Sequence, residues 1–217
     1  MTNPLRIRRP VSRRTAVTTG AIAVLLVAMV FGTKIMTGDG TTSADRGTFS
    51  AVKFAKDKYA SAILPAIEKR ATDVVTVSTA IAADSAAAST KYGVVEGSSP
   101  PVYSVTMTGV AGAVEDGIMP VVVAGMPAGT GIRVQMGPAI NGTALRDASG
   151  TVHFPQFTNQ IEYQNAGSEL NNIIKKTVLS GVDVAGLVGK TVTMTGVFQL
   201  INPQSFLVTP VKFRVGA

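Results

Sequence analysis

The chain has 217 residues, of which 46% are hydrophobic and 15% are charged. This balance is enough to bury a sizeable core, and it excludes a chain that is disordered by composition. The sequence contains no cysteine, which excludes disulfide bonds, thiolate nucleophiles, thiolate metal sites and a lipid-modified cysteine.

The formal charge of +7 is concentrated at the N-terminus. Residues 1–36 contain no acidic residue, and their basic residues are Arg6, Arg8, Arg9, Arg13, Arg14 and Lys34. Residues 37–217 are left with a net charge of only about +1. Because the location of charges matters more than their sum, the basic pI indicates membrane topology and not a nucleic-acid ligand. We predict no nucleic-acid partner.

A charge-free run from Thr15 to Thr33 predicts a membrane-spanning helix. At about 1.5 Å per residue, its length is roughly the thickness of a bilayer's hydrocarbon core. The arginines ahead of it keep the N-terminus in the cytoplasm. Residues 1–36 are therefore predicted to be a cytoplasmic tail and transmembrane anchor of a single-pass cell-membrane protein, with the main domain extracytoplasmic. The alternative is a signal peptide cleaved near Thr42-Ser43-Ala44.

Residues 37–48 are rich in Gly, Thr and Ser and predict a flexible linker. Residues 49–100 then form a predicted helical segment. Apolar residues recur at helical spacing from Phe49, and Pro65 is expected to kink or divide this first helix. A second helix is predicted over 72–90, ending near Tyr92-Gly93.

Residues 101–217 are mostly β in pattern. Strands are predicted over 102–114, 119–124 and 131–136, a helix over 160–178, and a final hairpin over 189–200 and 205–215. Asn159 can cap the helix, with Glu162 in a capping-box arrangement. This order is that of an OB-like five-stranded β-barrel. The predicted fold class is α+β, with the helical segment packed on the barrel; an ordinary α+β sheet is the alternative.

Signals for catalysis are weak. The chain has one histidine, His153, which lies between Val152 and Phe154 in a short apolar run. One histidine without cysteine argues against a dedicated transition-metal site, and the turn GMPAGTG lacks the lysine of a phosphate-binding loop. We predict a protein that is not an enzyme and has no metal site or cofactor.

Hydrogen-bonding side chains are dense between Asn141 and Gln160, directly after the third predicted strand. Polar groups with aromatic residues nearby suit a polar ligand or a protein edge. The alternative is a self-bonded connection in which Arg146 is buried against Asp147 or backbone carbonyls. The predicted ligand-binding residues are Asn141, Thr143, Arg146, Asp147, Asn159 and Gln160.

Two blocks of this segment, GTALRDA (142–148) and FTNQIEY (157–163), resemble a family of predicted periplasmic lipoproteins of unknown function. Shorter matches are Lys91-Tyr92-Gly93, Gly137-Pro138, Phe154 and Leu170-Asn171. The resemblance spans about 49–215. It implies an extracytoplasmic address and, since genes of the family often lie beside sugar ABC transporters, a link to carbohydrate transport. Family members often carry a lipid-anchoring cysteine, whereas here the predicted transmembrane helix would be the tether.

These observations predict a membrane-anchored extracytoplasmic accessory protein that binds a protein partner or a small polar ligand. From the resemblance, the expected partners are sugar ABC transporter subunits or a solute-binding protein. One alternative is an extracytoplasmic enzyme that acts on sugars or envelope material through Asp147, His153 or Glu162. Another is a scaffold protein without a ligand.

Overall fold

The structure, a computed structural model, describes residues 49–216. The predicted cytoplasmic tail, transmembrane anchor and linker, residues 1–48, lie outside the described residues. Within 49–216, no helix is both long and apolar enough to cross a bilayer.

The first part of the described chain is helical and contributes two short strands. Its elements are α1 (Ala51–Lys58), α2 (Leu64–Arg70), β1 (Thr72–Asp73), α3 (Val74–Ala83), α4 (Ser85–Tyr92) and β2 (Gly93–Val94). A π-helical turn, Tyr59–Ile63, joins α1 to α2. Pro65 divides the first helix as predicted, because it lies in the first turn of α2, where a missing backbone N–H is tolerated.

The single helix predicted over 72–90 was wrong in its extent. Thr72 and Asp73 instead pair with the first long strand as β1. The Asp73 carboxylate then accepts hydrogen bonds from the amides of the first turn of α3, and the Asp84 carboxylate does the same for α4. Aspartate favours the N-cap because it satisfies free backbone N–H groups there, so two aspartates produce two helices.

The β part confirms the predicted OB-like barrel. It consists of β3 (Val102–Ala111), β4 (Ile118–Val122), β5 (Gly131–Gln135), β6 (Thr191–Gln199) and β7 (Ser205–Val215). β3 pairs with β4, β4 with β5, β5 with β7, β7 with β6, and β6 with β3. All these pairs are antiparallel except β5 with β7. The ring is therefore closed, and β1 and β2 add to the edge of β3.

Aromatic residues fill part of the barrel interior. Tyr103 on β3 stacks on Phe198 of β6, its partner in the strand register, with ring centroids 5.2 Å apart. Phe198 stacks in turn on Phe206 of β7 at 4.3 Å. All three side chains are buried, and stacked aromatic rings stabilise a core beyond the area that they bury.

The connection from β5 to β6 contains a short helix α5 (Ala144–Asp147), a long helix α6 (Gln160–Ile174) and a second π-helical turn, Lys175–Leu179. The helix predicted over 160–178 therefore begins as expected, but its last turn is wider than an α-helix. α6 packs along α1, which places both π-helical turns on the same side of the domain.

Tyr59, in the first π-helical turn, gives a testable pH dependence. Burial, with a smaller contribution from the charge of Glu68, raises the pKa of its phenol to about 12. Below pH 10 both folded and unfolded chains keep the proton; above it the unfolded chain loses the proton first, so stability falls until about pH 12. Between pH 10 and pH 12, the free energy of unfolding of Tyr59→Phe should fall by about 2–3 kcal/mol less than that of the natural chain. Denaturant melts at the two pH values measure this difference. Equal losses would contradict the burial of this phenol.

Candidate functional site

The loop that follows β5 is anchored by a buried amide. Gln135, the last residue of β5, donates from Nε2 to Thr209 Oγ1 (2.8 Å) and to the Asn141 carbonyl (3.1 Å). Its Oε1 accepts from the Asn141 backbone N–H at 2.8 Å. Asn171 of α6 donates to the Gly142 carbonyl at 2.9 Å. The loop therefore lies fixed between the barrel and α6 before it reaches α5.

Arg146 and Asp147 form a buried ion pair in α5. Their exposed fractions are 6% and 8%. Arg146 Nε donates to Asp147 Oδ1 at 2.7 Å, and Nη2 donates to Oδ2 at 3.1 Å. This two-point arrangement matches the planar guanidinium to the carboxylate and is stronger than a single hydrogen bond. The two residues are adjacent in α5, and their side chains bend towards each other to make this contact.

Neighbouring groups complete this ion pair. Thr143 Oγ1 donates to Asp147 Oδ2 at 2.7 Å, and the Tyr163 hydroxyl donates to Oδ1 at 3.3 Å. Arg146 Nη1 donates to the Tyr163 carbonyl at 3.0 Å, and the guanidinium lies 3.4 Å from the centre of the Tyr163 ring. We call Thr143, Arg146, Asp147 and Tyr163 the clasp. It ties α5 to α6 with both oxygens of the carboxylate in use.

The clasp also affects the Tyr163 phenol. Burial, followed by the neighbouring Asp147 charge, raises the pKa of Tyr163. The phenol therefore stays protonated as a hydrogen-bond donor to the carboxylate. Its donor role, together with the cation–π contact, suits a structural joint more than an acid or base.

The residues considered for catalysis each have a different partner. Asp147 belongs to the clasp, the Glu162 carboxylate accepts from the Thr158 N–H at 2.9 Å, and His153 Nδ1 lies 3.0 Å from Glu96 Oε2. Glu96 comes from the segment after β2, far from His153 in sequence. Among residues 49–216, no three His, Cys, Asp or Glu side chains form a group that could hold a metal ion.

Asn159 and Gln160 lie at the start of α6. Asn159 is the predicted N-cap, and its Oδ1 accepts from the Glu162 N–H at 2.9 Å. The Glu162 side chain differs from a standard capping box, because it accepts from residue 158 and not from the cap itself. Gln160 is an exposed residue of the first turn.

The cap makes a prediction for Asn159. Asn159→Ala should lower the free energy of unfolding by about 1 kcal/mol, because it leaves an N–H group of α6 without its acceptor. Urea denaturation of the two chains measures the difference. Gln160→Ala is the matched control and should change stability by less than about 0.5 kcal/mol. A larger loss from the control would show that we have misplaced the cap.

The six predicted binding residues therefore fall into different environments. Thr143, Arg146 and Asp147 meet in the clasp, Asn141 holds the loop through its backbone, and Asn159 and Gln160 begin α6. Their ligand-binding role stays a prediction. No pattern in the sequence indicates Gln135, Thr209 or Glu96 as partners, because each contacts a group that lies elsewhere along the chain.

An open cleft lies beside this loop, between α1 with its π-helical turn and residues 151–156. Its volume is about 370 Å³, and its lining comprises Phe54, Lys58, Ala62, Ile63, Thr151, Val152 and Gln156. None of the six predicted residues lines it. Phe54, Phe49 and Phe157 pack against one another next to it, with ring centroids 5.1–5.8 Å apart. We call this the α1 cleft.

A family model described as predicted periplasmic lipoprotein (DUF2291) matches residues 21–214. The chain belongs to this family of predicted periplasmic lipoproteins. The match covers the barrel, the clasp and the α1 cleft, and it confirms the resemblance that GTALRDA and FTNQIEY indicated. The family's function is not known, and its description indicates an extracytoplasmic, membrane-associated protein. No curated protein matches this member of the family.

A solved structure supports the fold. A crystal structure of an OB-fold protein from Thermotoga maritima MSB8 is similar to this family member with a TM-score of 0.62 and 20% sequence identity. The similarity covers 77% of this chain and 99% of that one. At this level of identity the likeness concerns the fold alone.

Proposed function

We propose that this chain is a membrane-tethered extracytoplasmic accessory protein whose folded domain binds a protein partner at the α1 cleft. The observation that carries the proposal is the closed clasp: its charged groups use each other and Tyr163, so they are not free for a small polar ligand. The α1 cleft beside the same loop is open.

The α1 cleft has the composition of a contact surface. One cation, Lys58, and the polar residues Thr151 and Gln156 surround an apolar base. Two apolar residues are exposed on the same stretch of chain, Phe154 at 43% and Ile161 at 70%. Exposed aromatic and aliphatic residues beside polar ones are typical of protein interfaces. Small molecules usually bind in enclosed apolar pockets with converging polar groups, and the α1 cleft does not have this arrangement.

The partner class follows from the resemblance of the sequence to its family. We propose sugar ABC transporter subunits or a solute-binding protein, since genes of the family are expected beside such transporters. The predicted helix over 15–33 would hold the domain at the membrane surface, where those proteins work. Such an accessory role needs neither a cofactor nor a catalytic group.

Site-specific photocrosslinking tests the proposal. A photoreactive amino acid at Gln156, in the α1 cleft, should form an adduct with a second protein in native membranes. The matched control is Thr193, an exposed residue on the outer side of β6, which should give no such adduct. Mass spectrometry identifies the partner, and a transport subunit or solute-binding protein is the expected result. Adducts at both positions, or recovery of the chain alone from Gln156, would refute it.

A further inference from the structure

A continuous groove follows the other side of α1. Its first part, about 310 Å³, lies between α1 and α6, and its second part, about 500 Å³, lies between the two π-helical turns and the end of β7. Tyr59 and Thr177 line both parts, so the two form one surface. We call it the basic groove.

Both irregular helical turns border the basic groove. Tyr59 belongs to the turn Tyr59–Ile63, and Thr177 belongs to the turn Lys175–Leu179. A π-helical turn widens a helix locally, and such turns occur often at functional sites. Two of them at one groove are not required by barrel closure.

The charges along the basic groove are mostly positive. Lys56 and Lys176 line the first part, and Lys212 and Arg214 line the second. Among the described residues that line it, Glu169 is the acidic one. Lys212 forms an ion pair with Glu68 at 2.6 Å, and the Lys212 side chain is 51% exposed to solvent. The surface therefore attracts anions, and no dense set of carboxylates among the lining residues offsets the cations.

The base of the basic groove is apolar. Ile173, Val178 and Phe213 line it, and Val52 is 62% exposed at its edge. Apolar residues between cations suit a molecule with both a hydrocarbon chain and a negative headgroup. Lysine stems also pack on hydrocarbon while their charged ends reach outwards.

We propose that the basic groove binds an anionic phospholipid of the membrane to which the chain is tethered. The phosphate lies between Lys56 and Lys176, and an acyl chain lies along the apolar base. The proposal rests on the tether of the proposed function but not on its protein partner.

Position favours a lipid over an acidic protein. α1 is the first described helix after residues 1–48, which contain the predicted membrane span. The linker over 37–48, at about 3.3–3.6 Å per residue, reaches at most roughly 40 Å when extended. The basic groove is thus within reach of the bilayer surface, where its cations would attract a negatively charged headgroup.

The absence of cysteine allows a clean test, because a single introduced cysteine can be labelled. Val52→Cys carries an environment-sensitive fluorophore, and the full chain is reconstituted in phosphatidylcholine vesicles with or without phosphatidylglycerol. The emission at position 52 should shift to the blue only with phosphatidylglycerol. The control label, Val122→Cys on β4, is 72% exposed in the natural chain and should not respond.

Charge reversal decides the outcome. Lys56→Glu with Lys176→Glu should abolish the blue shift, whereas Lys91→Glu with Lys190→Glu should leave it unchanged. Equal emission in both vesicles, or a shift that survives reversal in the basic groove, would overturn the proposal. A shift seen in crude membranes but not in pure lipid would assign the basic groove to an acidic protein and would also overturn it. Loss of the Gln156 adduct with an intact lipid response would instead refute the protein partner alone.

Discussion

Arg146→Ala should lower the free energy of unfolding by about 3–5 kcal/mol. The reason is the environment of its partner: Asp147 is 8% exposed and would lose the two-point contact to the guanidinium while it stays buried. An uncompensated buried charge costs much more than the net contribution of the intact pair. The substitution also removes the cation–π contact with Tyr163. Denaturant melts of the natural and variant chains measure the loss.

An exposed arginine provides the matched control. Arg133, on β5, donates from Nε to Ser205 Oγ at 2.9 Å on the surface of the barrel. Arg133→Ala should change stability by about 0.5 kcal/mol or less. If Arg146→Ala were as mild as Arg133→Ala, the clasp would contribute little to the fold, and its interpretation as a structural joint would be wrong.

Gly117→Ala should be the second severe change, with a loss of at least about 2–3 kcal/mol. Gly117 lies in the turn before β4 with φ +78, a conformation that favours glycine. A Cβ atom there would lie 2.0 Å from the Gly137 carbonyl oxygen. Because the obstacle is backbone, it cannot rotate away, and the turn or the start of the candidate loop must shift. Thermal melting measures the effect.

Gly129 separates the two causes of this loss. It has nearly the same φ, +79, but a Cβ atom built there meets nothing within 4 Å. Gly129→Ala should therefore show only the conformational cost, about 1 kcal/mol. Equal losses at the two positions would mean that the contact between Gly117 and Gly137 does not matter.

The barrel could be predicted from the sequence because its signals are local. Residues that favour strands, and an alternation of apolar residues over 131–136, marked the strands, and the order of strands around one helix favoured the OB-like topology over an ordinary α+β sheet. The predicted extent of the second helix was wrong for a local reason as well. Asp73 and Asp84 act as N-caps, and the spacing of apolar residues carries no information about a cap. The two π-helical turns left no recognisable pattern, since each inserts only one residue into a helix.

The sequence placed the loop after the third strand, where the structure has it, but the chemistry of the loop could not be read from the sequence. The sequence left two alternatives open for this segment: a ligand-binding site, or a self-bonded connection in which Arg146 is buried against Asp147. Tyr163, Gln135 and Thr209 were not assigned to the loop, because they reach it only after β5, β7 and α6 have packed together. Burial decides whether a polar group holds the fold or meets a ligand, and burial is a property of the packed domain.

The distinction between a structural clasp and a binding site is tested most directly by replacing the pair with apolar residues. Arg146→Met with Asp147→Leu removes both charges together, and such replacements of buried pairs are often neutral or stabilising. The measurement is the yield of the Gln156 photocrosslink in this doubly substituted chain. We expect a folded protein with the same adduct at the natural yield. A folded protein that no longer forms the adduct would contradict the structural role of the clasp, because the charges themselves would then be needed for binding.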